Sequence, residues 1–344
     1  MEINELIENK INNLDITENY AAILGQSPSK GAKSPKLWNA AFSGLNFSAF
    51  MYPFDVLPKN LCALIDNLRK DKKFIGGSIA APYKTDVIKY IDYVEENVKA
   101  IGAVNCIYRD KNGKLVGTNT DGAGALWSLQ SAYGNIAGVK VLILGAGGAA
   151  AAVASYVGKA IGEKGKIFIS NRDKKKTHEL SQKLSSTCHV GELSWPVSIE
   201  DTKDIDIIIN CTSVGFENPI KDQNGFYSLK FYTPLGKIKN NIRLSQLENF
   251  NSKYAYEAAK DIAENFYETN RFLSQHKKIL IFDIVYQPQI TSLIFMSNLI
   301  GHKTLTGIGM NLEQAVIAFD ITTSATGKRN LDQDEVRKFM IKAV

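Results

Sequence analysis

The chain has 344 residues, 44% of them hydrophobic and 22% charged, with a formal net charge of +6. That is enough for two domains with their own cores, in a composition ordinary for a globular protein. The positive charge is dispersed and forms no long basic block; anionic small molecules account for it as well as nucleic acid would, and solvated lysines better than either. Cys62, Cys106, Cys188 and Cys211 form no CxxC pair, and the four histidines show no metal-ligand spacing. A reduced, cytoplasmic protein without structural metal is therefore expected. The start, MEINELIENKINNLD, carries acidic residues and no apolar run of signal-peptide length, so no membrane attachment is expected.

Tyr20 to Leu24 reads as a first strand, and Gln26 to Pro35 as a polar loop. Lys36 to Gly44 follows as a helix, with Leu37, Trp38 and Phe42 on one face. Phe47 to Val56 is extended, Asn60 to Arg69 helical, and Phe74 to Ala80 a short strand. It leads into Ala81-Pro82-Tyr83-Lys84, and the pattern predicts a helix over Thr85 to Tyr93. Ala103 to Arg109 and Lys114 to Thr118 form a hairpin around Asn112-Gly113, a strong turn signal. Asn119-Thr120-Asp121-Gly122 then precedes a helix over Gly124 to Ser131. Alone, Lys84 is an ordinary solvated lysine and Asp121 an ordinary N-cap.

Val141 to Gly158, VLILGAGGAAAAVASYVG, reads as a buried strand, a glycine turn and a helix. Its length approaches a membrane span, but three central glycines argue against one. Gly145 permits the tight turn and Gly147 lets a pyrophosphate approach the backbone. Ala150 is small enough for close helix packing. Unpaired N–H groups at the helix start favour a dinucleotide's phosphates there.

Several short motifs, taken in order, resemble the shikimate dehydrogenase family. They are Ser34-Pro35, Pro82-Tyr83-Lys84, Ile101-Gly102-Ala103-Val104-Asn105, Asn119-Thr120-Asp121-Gly122, the glycine turn and Asn171-Arg172. Asn210-Cys211-Thr212-Ser213-Val214-Gly215, Asp283-Ile284-Val285-Tyr286, Gly309-Met310 and Gln314-Ala315 with Phe319 complete the set. The resemblance runs from about residue 20 to residue 322. It implies an α/β protein of two domains with a cleft between them. An N-terminal α/β substrate domain would cover 1–121, with C-terminal helices 310–344 packing back on it. A Rossmann-type cofactor domain would cover 122–309, with an insertion near 225–276.

The resemblance also implies NADP-dependent reversible oxidation of a ring alcohol. The substrate would be shikimate, or a close analogue such as quinate, aminoshikimate or another ring polyol. A non-catalytic sensor on the same fold is the alternative, and retention of both Lys84 and Asp121 speaks against it. These two are the expected catalytic residues, facing each other across the reacting hydroxyl. Burial would lower the lysine pKa and a nearby carboxylate would raise it, so which group carries the proton is a coupled-titration question. Asn105, Asn119, Tyr286 and Gln314, with Ser34 and Ser78, are the expected substrate-binding residues. The cofactor set is Gly145, Ala146, Gly147, Gly148, Ala149, Asn171, Arg172, Thr212, Ser213, Val214, Val285, Gly307 and Met310. A monomer or homodimer is expected.

The family holds the substrate carboxylate through serines of an S-x-S-P loop and a threonine of N-V-T-x-P-x-K. This chain has Ala32-Lys33-Ser34-Pro35 and Ser78-Ile79-Ala80-Ala81-Pro82-Tyr83-Lys84 in those places. Only Ser34 keeps its hydroxyl, with Lys30, Lys33 or Ser78 available to compensate. A hydrogen bond to a charged group is worth ~1.5–3 kcal/mol, so two losses weaken carboxylate binding about a hundredfold or more. After the second Rossmann strand, Lys166 to Ser170, Arg172 and Lys174 to Lys176 favour NADP. Asp173 would repel a 2′-phosphate if turned inward, which leaves NAD as the alternative. The segment Gly225 to His276 is expected to be a surface elaboration, with a lid or an oligomer contact as the other reading. Within it, Tyr256, Ala259, Ile262 and Phe266 form one helical face.

Overall fold

The computed structural model describes residues 2–11, 18–239, 241–249, 251–325, 327 and 331–343. They divide into two compact units, 1–124 with 311–344, and 125–310.

The first unit opens with α1 (Ile3–Leu6), β1 (Asn19–Gly25), α2 (Ser34–Gly44), β2 (Ala49–Asp55), α3 (Leu61–Lys70) and β3 (Phe74–Ile79). After β4 (Tyr93–Val94) and α4 (Glu96–Ile101), β5 (Cys106–Arg109) and β6 (Leu115–Thr118) form the expected hairpin. The six strands lie in the order β2-β1-β3-β5-β6-β4. β1 is parallel to both β2 and β3, and β3 is antiparallel to β5. Leu64, Ile65 and Leu68 of α3 cover one face of this sheet with Phe54, Phe74 and Ile107. The other face carries Trp38 and Phe42 of α2, whose rings meet Phe319 at 5.3 and 4.8 Å.

The sequence reading and the structure part most visibly at α2 and after β3. Helix α2 begins two residues early, at Ser34, because Pro35 suits the first turn of a helix. The helix predicted over Thr85 to Tyr93 is only a single turn, Asp86–Lys89. Beyond it the backbone of Asp92 is captured by Leu115 and β4 pairs with β6, so the apolar Val87 and Ile91 enter the core from a turn and a bridge.

Helix α5 (Asp121–Tyr133), longer at both ends than predicted, leads into the second unit. There β7 (Lys140–Leu144), α6 (Gly148–Ile161), β8 (Lys166–Ser170), α7 (Lys174–Leu184), β9 (His189–Leu193) and β10 (Ile207–Asn210) follow in turn. A small antiparallel sheet comes next, of β11 (Ile220–Asp222), β12 (Gly225–Ser228) and β13 (Ile242–Arg243), then α8 (Leu244–Glu248) and α9 (Ser252–Ser274). The unit closes with β14 (Leu280–Asp283), α10 (Ser292–Ile300) and β15 (Lys303–Thr306). Helix α11 (Gly307–Ser324) returns the chain to the first unit, and α12 (Gln333–Ile341) places Val336 and Met340 against α2's core face.

The main sheet of this unit is parallel throughout, in the order β15-β14-β10-β7-β8-β9. The strand order reverses between β7 and β10, which makes the crevice at their carboxyl ends the place where such a sheet binds a ligand. β10 and β14 are parallel neighbours and need a crossover. Helix α9 supplies it, with Phe272 and Leu273 packed on Leu142, Leu144, Ile208 and Ile281. The elaboration expected near 225–276 therefore contains a helix that the fold itself requires, and it is not purely a surface addition. The face expected from periodicity holds only in part: Ile262 and Phe266 are half-buried against the cores, but Tyr256 is 67% exposed, while Asp261, Asn265 and Thr269 are buried. That polar stripe is satisfied by the preceding loop. Tyr232 donates to Asp261 at 2.7 Å, Thr233 N to Asn265 Oδ1 at 2.9 Å, and Thr233 meets the Thr269 hydroxyl.

No helix among the described residues is long and apolar enough to cross a membrane.

Candidate active site

In the first unit, the loop after β3 brings Lys84 to the start of α5. Val104 N donates to the Lys84 carbonyl at 2.7 Å, and the Tyr83 hydroxyl donates to the Val56 carbonyl, which anchors the loop from two sides. Lys84 Nζ then lies 2.6 Å from Asp121 Oδ2, with the two side chains 34% and 12% exposed. Asp121 is the first residue of α5 and spends its carboxylate on Lys84 and Asn105, leaving the local turn to its neighbour: Asn119 Oδ1 accepts from Asp121 N at 3.1 Å. Asn119 also donates to the Ala103 carbonyl.

Asn105, at the approach to β5, is the centre of the cluster. Its amide donates to Asp121 Oδ1 at 2.8 Å, to Thr120 Oγ1 at 3.0 Å and to Gln314 Oε1 at 3.2 Å. Its carbonyl oxygen accepts from Thr120 N at 2.7 Å. Thr120 was not singled out from the sequence. Its hydroxyl donates to the Gln314 carbonyl at 3.0 Å, tying α11 to the β6–α5 junction. Lys84, Asn105, Asn119, Asp121 and Gln314 are thus brought together, through contacts separated by as many as 209 positions in the chain. Cys106 lies beside them, but burial pushes its thiol up to about 12, so it packs as a small apolar residue.

Ser34 and Ser78 are both buried, at the start of α2 and within β3. Ala32 and Ala80 pack against the apolar core that holds Leu37 and Trp38. Lys30 is exposed and Lys33 half-buried. The intervening loop is held by Asp55, whose carboxylate accepts from both the amide and the hydroxyl of Ser29.

In the second unit, Gly145 follows β7 with φ +110°, and a Cβ there would stand 3.0 Å from the Cys211 carbonyl oxygen. Gly147 caps α6 without a side chain, and a Cβ on it would meet nothing within 4 Å. The turn Gly145-Ala146-Gly147-Gly148-Ala149 thus leaves open space before free helix N–H groups, as a dinucleotide's phosphates require. Asn171 and exposed Arg172 follow β8. Asp173 does not act as the sequence reading feared. It is the N-cap of α7, its carboxylate accepting from Lys175 N and Lys176 N, so it is turned to its own helix.

Thr212, Ser213 and Val214 follow β10, Val285 and Tyr286 follow β14, and Gly307 and Met310 stand in the first turn of α11. A Cβ on Gly307 would fall 2.1 Å from the Ile284 carbonyl oxygen, so only glycine admits this approach. Beneath these loops lies Asp283, which is fully buried. Asn210 Nδ2 donates to it at 2.9 Å, Val285 N at 3.0 Å and the Thr291 hydroxyl at 2.6 Å. Burial pushes Asp283 up to about 7, and those three donors oppose the rise. No group of His, Cys, Asp and Glu suited to hold a metal occurs among the described residues.

Known proteins resemble both units. A family model described as the shikimate dehydrogenase substrate binding domain matches residues 23–107, and one described as shikimate / quinate 5-dehydrogenase matches residues 128–229. The shikimate dehydrogenase (NADP(+)) of Alkaliphilus oremlandii is 31% identical over 306 residues, 88% of this chain and 90% of its own. That of Methanocaldococcus jannaschii is 29% identical, over 86% of this chain and 88% of its own. Among solved structures, a shikimate dehydrogenase in complex with NADP+ superposes with a TM-score of 0.70 at 25% identity, covering 96% of this chain and 97% of that one.

Proposed function

The chain belongs to the shikimate dehydrogenase family, and from that premise we propose that it catalyses the reversible NADP-dependent oxidation of shikimate or a close ring analogue. The observation that carries this reading is the 2.6 Å contact between Lys84 and Asp121, partly open to a substrate and braced by Asn105. NADP supplies the acceptor for the hydride that leaves the carbinol carbon. The hydroxyl proton leaves in the same conversion, and the Lys84–Asp121 pair is placed to take it and to return it in the reverse direction. Asn105 and Gln314 offer hydrogen bonds to ring hydroxyls, and Asn119 holds Asp121 in place. Buried Ser34 and Ser78 are the hydroxyls left to meet a carboxylate.

For the cofactor, the glycine turn takes the pyrophosphate and Arg172 the 2′-phosphate, with Asn171 beside it. Thr212 to Val214, Val285, Gly307 and Met310 line the remainder. Asp173 spends its carboxylate on the start of α7, turned toward its own helix.

A panel of ring alcohols, including shikimate, quinate and a polyol without a carboxylate, assayed with NADP and with NAD, tests the proposal. Shikimate with NADP is expected to give the highest kcat/KM. Absence of nicotinamide reduction with every ring alcohol would overturn it. Arg172→Gln is expected to cut the NADP-to-NAD preference by about tenfold or more, one charged hydrogen bond's worth. An unchanged ratio would remove Arg172 from the cofactor site.

A further inference from the structure

We propose that Asp283 is a positioning residue, a sealed carboxylate that sets two cofactor-side loops at once, 211–215 and 284–291. The proposal rests on the functional reading above, which gives those loops Thr212, Ser213, Val214 and Val285 as cofactor contacts.

The argument lies in how the hydrogen bonds are directed. Asp283 accepts from three donors on three segments: Asn210 at the end of β10, Val285 in its own loop, and Thr291 at the cap of α10. Asn210 has no capacity left over. Its second amide hydrogen goes to the Val214 carbonyl at 3.1 Å, and its oxygen accepts from Thr212 N at 3.0 Å and Thr212 Oγ1 at 2.7 Å. Thr212 Oγ1 accepts in turn from Val214 N at 3.1 Å. On the other side, Thr291 accepts from Ile294 N while it donates to Asp283. The chain of bonds runs from α10 through Asp283 to Val214, with the polarities that an ionised, acceptor-only carboxylate at the centre would set.

Both loops also press on the other expected cofactor elements. The Cys211 carbonyl crowds the place a Cβ on Gly145 would take, and the Ile284 carbonyl leaves no room for one on Gly307. A shift of either loop therefore reaches the phosphate turn and the start of α11. Small misplacements of this kind are costly in a site that works by alignment. An acidic group buried without a cation is an expensive way to hold a strand end, which points to geometry as its use. Cys211 feels its charge: burial and that carboxylate both push the thiol up.

The test is NADPH binding by titration calorimetry, with Asp283→Asn and Thr291→Val beside the wild-type chain. Asp283→Asn keeps the shape but turns an N–H toward Thr291, and its Kd for NADPH is expected to rise about tenfold, the loss of one hydrogen bond to a charged group. Its KM for NADP should rise by a like factor, while its KM for shikimate stays within about threefold of wild type. A folded Asp283→Asn protein with wild-type affinity for NADPH would overturn the proposal. If that variant does not fold, Thr291→Val decides, because it keeps the carboxylate and cuts one strut: weaker NADPH binding supports the clamp, and unchanged binding overturns it. A wild-type chain that binds no NADPH would overturn the functional reading itself, and the clamp with it.

Discussion

The two units each place an asparagine and an aspartate in a hydrogen-bond network near the ends of sheet strands. Asn105 bonds Asp121 in the first, and Asn210 bonds Asp283 in the second. The difference lies in what completes each network. Asp121 is answered by a lysine and keeps a fraction of its surface open, whereas Asp283 is answered by neutral donors alone and keeps none. An amine and a carboxylate in contact and within reach of solvent are suited to exchanging a proton with a bound molecule. A carboxylate closed off from everything but fixed donors can only hold its neighbours in place.

The sharpest way to break this comparison is to remove the cation from the open network. Lys84→Ala is expected to lower kcat by ~10²–10⁴, the usual worth of a placed acid–base group. Its melting temperature should hardly move, since a one-third exposed ion pair adds ~1 kcal/mol or less. A variant with full turnover would end the assignment.

The sealed network is expected to answer in stability and pH. Because the folded pKa of Asp283 is raised from 3.8 to about 7, its contribution to stability is fully present below the unfolded value and is lost as pH climbs through about 7. Asp283→Asn lacks that loss. From pH 5 to pH 9 its stability should therefore gain on the wild type by about 2–3 kcal/mol. Parallel melting curves across that range would show that the carboxyl is not held as described.

Asp173 gives the smallest effect and a third setting, a carboxylate exposed and spent on a helix end. Asp173→Ala should cost about 1 kcal/mol of stability and leave the NADP-to-NAD ratio where it was. A marked rise in NADP preference would mean that the carboxylate faces the cofactor after all.

Much of this was legible in the chain. The glycine turn stands out because a buried strand, three glycines and an alanine-rich helix follow without a gap. Lys84 and Asp121 are legible through the short motifs around them, although nothing local distinguishes them from a solvated lysine and a cap. Thr120 was passed over because its value comes from bonds to Asn105 and Gln314, distant in the chain. Asp283 stands in the sequence only as one letter of a motif, because its partner Asn210 lies 73 positions away. Helix α9 misled for a different reason. Periodicity reads apolar residues as the buried face, and here Asp261, Asn265 and Thr269 are buried because a loop supplies their partners. Asp173 suits a cap as well as a cofactor neighbour by residue type, and only its bonds to the Lys175 and Lys176 amides separate the two.

That polar seam on α9 constrains how the chain can be shortened. Trimming the residues between Val214 and Ser252 would strip Asp261 and Asn265 of their loop partners, leaving a buried acid and amide on a helix the sheet still depends on. The loop and the helix are a matched set, and a leaner relative would have to repaint the helix before it could discard the loop.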